Sequence, residues 1–367
     1  MNAMLNTANR AVTDRSTGRG AGRRLLLLRL AAAGAVVLGS LSMTGGTAYA
    51  QATLAWDKTF PQSPRVEHRK VSFHNRLGIN LVADLYIPRN VDRSRRHPAI
   101  IVGHPFGGVK EQTSGLYAQT MAERGFVTLA FDASYNGESG GQPHFIASPD
   151  VFVEDFSAAV DYLGTNALVA RNRIGVIGVC GSGGFSLAAA QVDPRIRAVA
   201  TVSMYDIGQA KRQGLAASLD EAALRSSLQA VAAQRWAEVD GAERAMVIGT
   251  PQAITASSTE IDREFYDYYR TPRGHHPRST TAMSRTSDAA LALFSAFDRL
   301  GWISPRPVLF ITGDRSHSRI FSEQAYQRAS EPRELHVVPG AGHVDLYDRV
   351  DLIPWDKLTS FFTQHLR

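Results

Sequence analysis

Residues 173–184, Arg-Ile-Gly-Val-Ile-Gly-Val-Cys-Gly-Ser-Gly-Gly, limit what this chain can fold into more than any other stretch. An apolar, β-branched run from Ile174 to Val179 ends abruptly at Cys180. Gly178, Gly181, Ser182, Gly183 and Gly184 crowd around that cysteine, and Phe185 to Ala190 begins a helical pattern. The pattern predicts a buried strand, a tight turn and a helix. Such a turn holds its central residue in a strained backbone conformation and presents that side chain at the helix N-terminus, which only small neighbours permit. Cys180 is centred in it.

Cys180 is also the single cysteine of the chain, so it forms no intramolecular disulfide. A lone thiol at such a turn is a candidate nucleophile, with a histidine and an acid supplied from elsewhere. The plainer reading is a small buried apolar residue at a strand end. A second register, Cys180-Gly181-Ser182-Gly183-Gly184, makes Ser182 the nucleophile instead. Gly178, two residues before Cys180, favours the first register, because glycine reaches backbone conformations closed to a cysteine in that place. Both registers satisfy the demand for small neighbours and stay open.

The first fifty residues read as a leader. Residues 1–22 are polar and rich in Arg and Gly; Arg23-Arg24 then precede Leu25 to Leu28, an Ala- and Val-rich run follows to Leu41, and Ala48-Tyr49-Ala50 precedes Gln51. A basic region, an apolar stretch and a small-x-small site predict an export signal over 1–50 and a periplasmic or secreted mature chain, by a Sec or a twin-arginine-like route. The apolar stretch after Arg29 is shorter than the roughly 18 residues a membrane span requires, so no stable insertion is expected after signal removal. Without residues 1–50 the formal charge falls from +6 to +1. The basic character therefore belongs mostly to the leader, and no nucleic-acid surface follows from it.

Extended or apolar runs recur at 70–74, 80–87, 99–102, 126–131, 174–179, 196–202, 308–312 and 335–338. From the third onward they are continuous and apolar, as in strands of a parallel sheet buried on both faces, whereas 80–87 alternates. Helical patterns such as Phe152, Phe156, Ala159, Val160 and Leu163 lie between them. The alternation predicts an α/β, doubly wound, mostly parallel sheet of the α/β-hydrolase fold, its core in two parts, 51–206 and 286–367. Between them, 207–285 is Ala-rich and helical and then polar, with an aromatic cluster at Phe265, Tyr266, Tyr268 and Tyr269. An insertion there sits above the C-terminal strand ends, where ligands of open α/β sheets bind, and is expected to form a helical cap. Tyr268 and Tyr269 are candidates for substrate contact or for packing of cap on core.

Acyl transfer by a weak nucleophile needs a base, a group that orients it, and donors for the oxyanion. Asp314 follows the strand ending at Thr312, and His343 follows the strand ending at Val338 through Pro339-Gly340-Ala341-Gly342. Nucleophile, acid and histidine thus run in the chain order of α/β-hydrolases. The Phe106 and Gly181 amides are the oxyanion candidates, the first from the loop after the third strand, the second from the residue after the nucleophile. The helix N-terminus and His343 are expected to depress the Cys180 pKa. His104 is expected to be structural. No metal site is expected, because His275-His276 are adjacent and no Cys pair or His-Glu-x-x-His motif accompanies them.

From about Val66 to the C-terminus the chain resembles dienelactone-hydrolase-related α/β-hydrolases, and within them the YcjY-like group. The resemblance rests on His104-Pro105-Phe106-Gly107-Gly108, Phe131 to Gly140, the turn from Gly178 to Gly184, Ile311 to Ser318, and Gly340 to Asp348. It implies a Cys-His-Asp triad of Cys180, His343 and Asp314, with Ser182 standing where that family has glycine. The expected activity is hydrolysis of a carboxylic ester, thioester or lactone of a small-molecule acyl substrate, without a cofactor. A serine esterase or peptidase using Ser182, or a non-catalytic binding protein on the same fold, are the alternatives. The oligomeric state is not legible.

Overall fold

The computed structural model describes residues 56–215 and 218–367; the leader read at 1–50 lies outside the described residues. Eight strands form one sheet: β1 (Val66–His74), β2 (Asn80–Pro88), β3 (His97–Gly103), β4 (Val127–Phe131), β5 (Val169–Val179), β6 (Ile196–Val202), β9 (Val308–Gly313) and β10 (Arg333–Val338). Their order is β1-β2-β4-β3-β5-β6-β9-β10. Only β2 runs against its neighbours; β3 pairs in parallel with β4 and β5, and β6 with β5 and β9. The continuous apolar runs are the buried inner strands, β4 buried at every position, except for the last run, which lies in the half-buried edge strand β10.

Helices α1 (Thr113–Glu123), α2 (Pro149–Thr165), α3 (Gly181–Val192), α8 (Arg319–Arg328) and α10 (Trp355–His365) cover the sheet. Successive strand residues face opposite ways. A Cβ at Gly175 of β5 would meet Phe362 of α10, whereas one at Gly178 would meet Ser182 and Ser186 of α3, so these helices lie on opposite faces. α2 packs beside α3, and Tyr117 of α1 packs on Trp355 of α10.

The insertion between β6 and β9 holds α4 (Ile207–Gln213), α5 (Glu221–Val239), the β7–β8 pair (Met246–Ile248 and Ala282–Ser284), α6 (Glu260–Tyr269) and α7 (Ser287–Leu293). α7 packs on α4 and α5. After α7, the 3-10 turn Leu300–Ile303 packs on α3 and leads into β9. Among the described residues no helix is long and apolar enough to cross a membrane.

Candidate active site

β5 delivers Cys180 at its C-terminal end, and the cysteine has φ 54° and ψ −121°, a conformation strained for any residue with a side chain. The turn is held because Cys180 N–H donates to Val202 O at 2.9 Å and Cys180 O accepts from Gly183 N at 2.9 Å and Tyr205 N at 3.0 Å. A Cβ at Gly178 would stand 2.3 Å from Ser182 O, so the residue two before Cys180 has to be glycine. A Cβ at Gly181 would stand 2.7 Å from the Phe106 Cβ, which lets the two oxyanion-candidate segments approach each other. The Phe106 and Gly181 amides lie near enough to the Cys180 sulfur to favour its thiolate.

Ser182 sits in the first turn of α3, where its Oγ donates to His104 O at 2.5 Å. No histidine side chain among the described residues hydrogen-bonds it, and it borders a cavity lined by Phe106, Phe152, Phe156, Phe185 and Met283. His104 is fixed as well. Its Nε2 accepts Ala133 N–H at 3.0 Å, which leaves Nδ1 to donate to Pro105 O at 2.8 Å.

His343 is fully buried in the loop between β10 and the short α9 (Asp345–Asp348). Its Nδ1 lies 2.7 Å from Ser318 Oγ and its Nε2 2.9 Å from Tyr347 Oη, and Tyr347 is in turn a hydrogen-bond partner of the Cys180 thiol. With the Nδ1 proton on Ser318, Nε2 is left to accept the Tyr347 hydroxyl. Tyr347 thus links the cysteine to the base.

Asp314 does not join this path. Its side chain is exposed, and Oδ1 accepts Gly340 N–H at 2.8 Å, so the carboxylate braces the loop before His343 rather than the imidazole. The Nδ1 partner is Ser318, at the start of α8, which sequence reasoning passed over, as it did Tyr347. A serine in a polar loop carries no periodic signal; a tyrosine four residues after a histidine does, had the short α9 been foreseen.

Burial acts on both ends of the path. It pushes the Cys180 thiol above its ordinary value, against the hydrogen bonds from Tyr347, Phe106 and Gly181. The expected depression of that pKa is therefore reversed, because the sulfur is only 5% exposed and desolvation outweighs the amide dipoles. Burial, and then the nearby His317, hold His343 well below the ordinary imidazole range. At rest the site is a neutral thiol and a neutral imidazole.

A cavity of about 160 Å³ above the sulfur is lined by Phe106, Cys180, Tyr205, Ile207, Phe265, Tyr269 and Tyr347, among others. It shares Phe106, Tyr205, Ile207, Gly249 and Thr281 with a larger cavity of about 490 Å³ beneath α4 and α5, walled further by Ala210, Leu219, Ala223, Leu224, Val247 and Met283. Tyr269 lines the site. Tyr268 does not: it is buried between core and cap, its Oη 2.9 Å from Thr113 Oγ1 and its ring edge-on to Tyr347 at 5.2 Å. Of the two tyrosines only the second is placed to touch a substrate.

Among the described residues one acidic cluster has ligand-like spacing, Glu111, Asp132 and Glu138, whose oxygens lie within 4.8 Å of one another. Lys110 Nζ occupies its centre, 2.5, 2.9 and 2.5 Å from the three carboxylates. The cluster is an ion-pair network.

Comparison with known proteins places the fold. The profile of the X-Pro dipeptidyl-peptidase (S15) family matches residues 78–343. The Pseudomonas aeruginosa protein PA2218 is 51% identical over 335 residues, 89% of this chain and 88% of its own, and its crystal structure superposes with a TM-score of 0.83 over 86% of this chain and 98% of that one. The Escherichia coli protein YcjY is 37% identical over 284 residues, 77% of this chain and 93% of its own. The α/β-hydrolase GrgF from Penicillium superposes with a TM-score of 0.68 at 21% identity, over 82% of this chain and 99% of its own, a likeness of fold.

Proposed function

This chain belongs to the S15 family of α/β-hydrolases, in the YcjY-like group, and on that premise we propose that it cleaves carboxylic esters or thioesters of apolar acyl groups with Cys180 as the nucleophile. Hydrolysis of the esterase and peptidase type is the common ground of the family and its structural neighbours. One observation carries the finer reading: Cys180 stands beside the Phe106 and Gly181 amides and beside Tyr347, whose hydroxyl is 2.9 Å from His343 Nε2. Attack on the carbonyl carbon moves the thiol proton through Tyr347 to His343 Nε2, and the oxygen that gains charge takes the place the sulfur vacates between the Phe106 and Gly181 amides. Ser318 keeps the imidazole turned for this transfer. The apolar part of the acyl group occupies the cavity under α4 and α5.

The match to a peptidase family favours one second reading, cleavage of an amide after an X-Pro pair by the same residues. A panel of p-nitrophenyl esters, acyl thioesters and X-Pro anilides, given to the purified protein, separates the two. Cys180→Ala should lower turnover by about three orders of magnitude or more, and Ser182→Ala should keep it within a few-fold. Turnover that survives in Cys180→Ala and is lost in Ser182→Ala would return the nucleophile to the other register.

A further inference from the structure

A second polar chain reaches the cavity beside the first. Tyr205, which follows β6, is tied to the turn by its N–H on Cys180 O at 3.0 Å, and its ring lines both the small and the large cavity. Its hydroxyl is hydrogen-bonded to His317 Nε2. His317 Nδ1 lies 3.2 Å from Glu264 Oε2 of α6, and Glu264 Oε1 accepts Val344 N–H at 2.7 Å, next to His343. The two imidazoles stack with centroids 4.6 Å apart and planes 29° from parallel.

The two chains end on different partners. His343 rests on a serine hydroxyl, which suits a base that begins neutral. His317 rests on a carboxylate, which accepts its Nδ1 proton. It is also the second cause, after burial, that holds His343 below the ordinary imidazole range.

We propose that Tyr205, backed by His317 and Glu264 as positioning residues, is the general acid that protonates the leaving group. The proposal rests on Cys180 as the nucleophile. In acylation the S–H proton passes through Tyr347 to His343 as the S–C bond forms. When the carbonyl carbon loses its bond to the leaving oxygen or sulfur, that atom takes the Tyr205 hydroxyl proton, and the phenol oxygen takes the Nε2 proton of the His317 imidazolium. In deacylation water adds to the thioester carbon, its proton goes to Tyr205 while the Tyr205 proton returns to His317, and the departing thiolate recovers its proton from His343 through Tyr347. Each group ends as it began.

The test is leaving-group dependence at constant acyl group. A p-nitrophenolate departs without a proton, and an alkoxide does not. Tyr205→Phe should lose about 100-fold in kcat/KM on an alkyl ester and only a few-fold on the p-nitrophenyl ester, so the slope of log kcat/KM against leaving-group pKa steepens. Glu264→Gln, whose amide oxygen still accepts from Val344, should steepen the slope in the same sense, which keeps the test alive if Tyr205→Phe folds poorly. Equal losses across leaving groups in both variants would overturn the proposal. The slope is read whichever residue carries the acyl group. An intact-mass acyl adduct located on Cys180 reports separately on the nucleophile, so failure of that reading and failure of the acid are told apart.

Discussion

At the residue scale, desolvation sets the protonation of the site before any substrate arrives. Because His343 is held neutral well below the ordinary imidazole value, its acceptor nitrogen survives as pH falls. The expected kcat/KM for an activated ester is level through about pH 6.5 and declines only further into acid. A profile from about pH 4 to 8 checks this, and an acid limb centred at or above about 6.5 contradicts it. The same scale separates Asp314 from Ser318. Asp314→Asn keeps an oxygen for Gly340 N–H and should leave kcat within about twofold, whereas Ser318→Ala removes the Nδ1 partner and should lower it about tenfold, the worth of one hydrogen bond. The strained turn at Cys180 and the loop that buries His343 were legible in the sequence because their signals are local: Gly178 is required by a contact inside the turn, and His343 follows a strand through a glycine-rich loop. The orienting group was not. The loop from Gly313 to Ser318 turns its carboxylate outward and its hydroxyl inward, a choice set by packing against β10 and α8 that residue types do not announce.

At the scale of elements, the C-terminal ends of the sheet strands were read to within one residue, since continuous β-branched runs leave a buried parallel strand little alternative, whereas β1 and β5 begin at Val66 and Val169, earlier than read. The insertion was read over 207–285. α7 carries a short apolar pattern that fits core or cap equally, and only its packing on α4 assigns it. Adjacent residues on a helix point about 100° apart, so Tyr268 and Tyr269 could not both face the site, and the phase of α6 chooses between them. Its phase is set at the N-terminus by Thr259 and Asp262, which form a reciprocal capping box. The 490 Å³ cavity under α4 and α5 gives the cap a measurable role. Each buried methylene contributes roughly 0.8 kcal/mol, so kcat/KM along a series of straight-chain p-nitrophenyl esters should rise about fourfold per carbon until the space is filled. Ala223→Trp, on the wall of that cavity, should flatten the series for long chains and leave the acetyl ester unchanged. A uniform loss at every length would mean that the wall residue supports the cap rather than the substrate.

At the scale of the molecule, the ion network around Lys110 joins distant parts of the chain. Lys110 and Asp132 follow core strands; Asp57 comes from the segment before β1, and Arg278 from the insertion reaches both Asp57 and Glu111, at 2.9 and 2.7 Å. Lys110→Met leaves the buried Glu111 and Asp132 facing each other without their cation. Chemical denaturation should show a loss of roughly 3–5 kcal/mol, against a far smaller effect for the exposed pair Arg225–Glu221. The buried thiol, too, has a consequence for the whole molecule. With one cysteine in the chain, thiol oxidation concerns a single sulfur. Peroxide reacts with exposed thiolate, and Cys180 at rest is neither exposed nor ionised. No resolving thiol exists within the chain to capture a sulfenic acid as a disulfide, so the protection that matters comes before the damage, from the same desolvation that keeps the nucleophile silent between substrates.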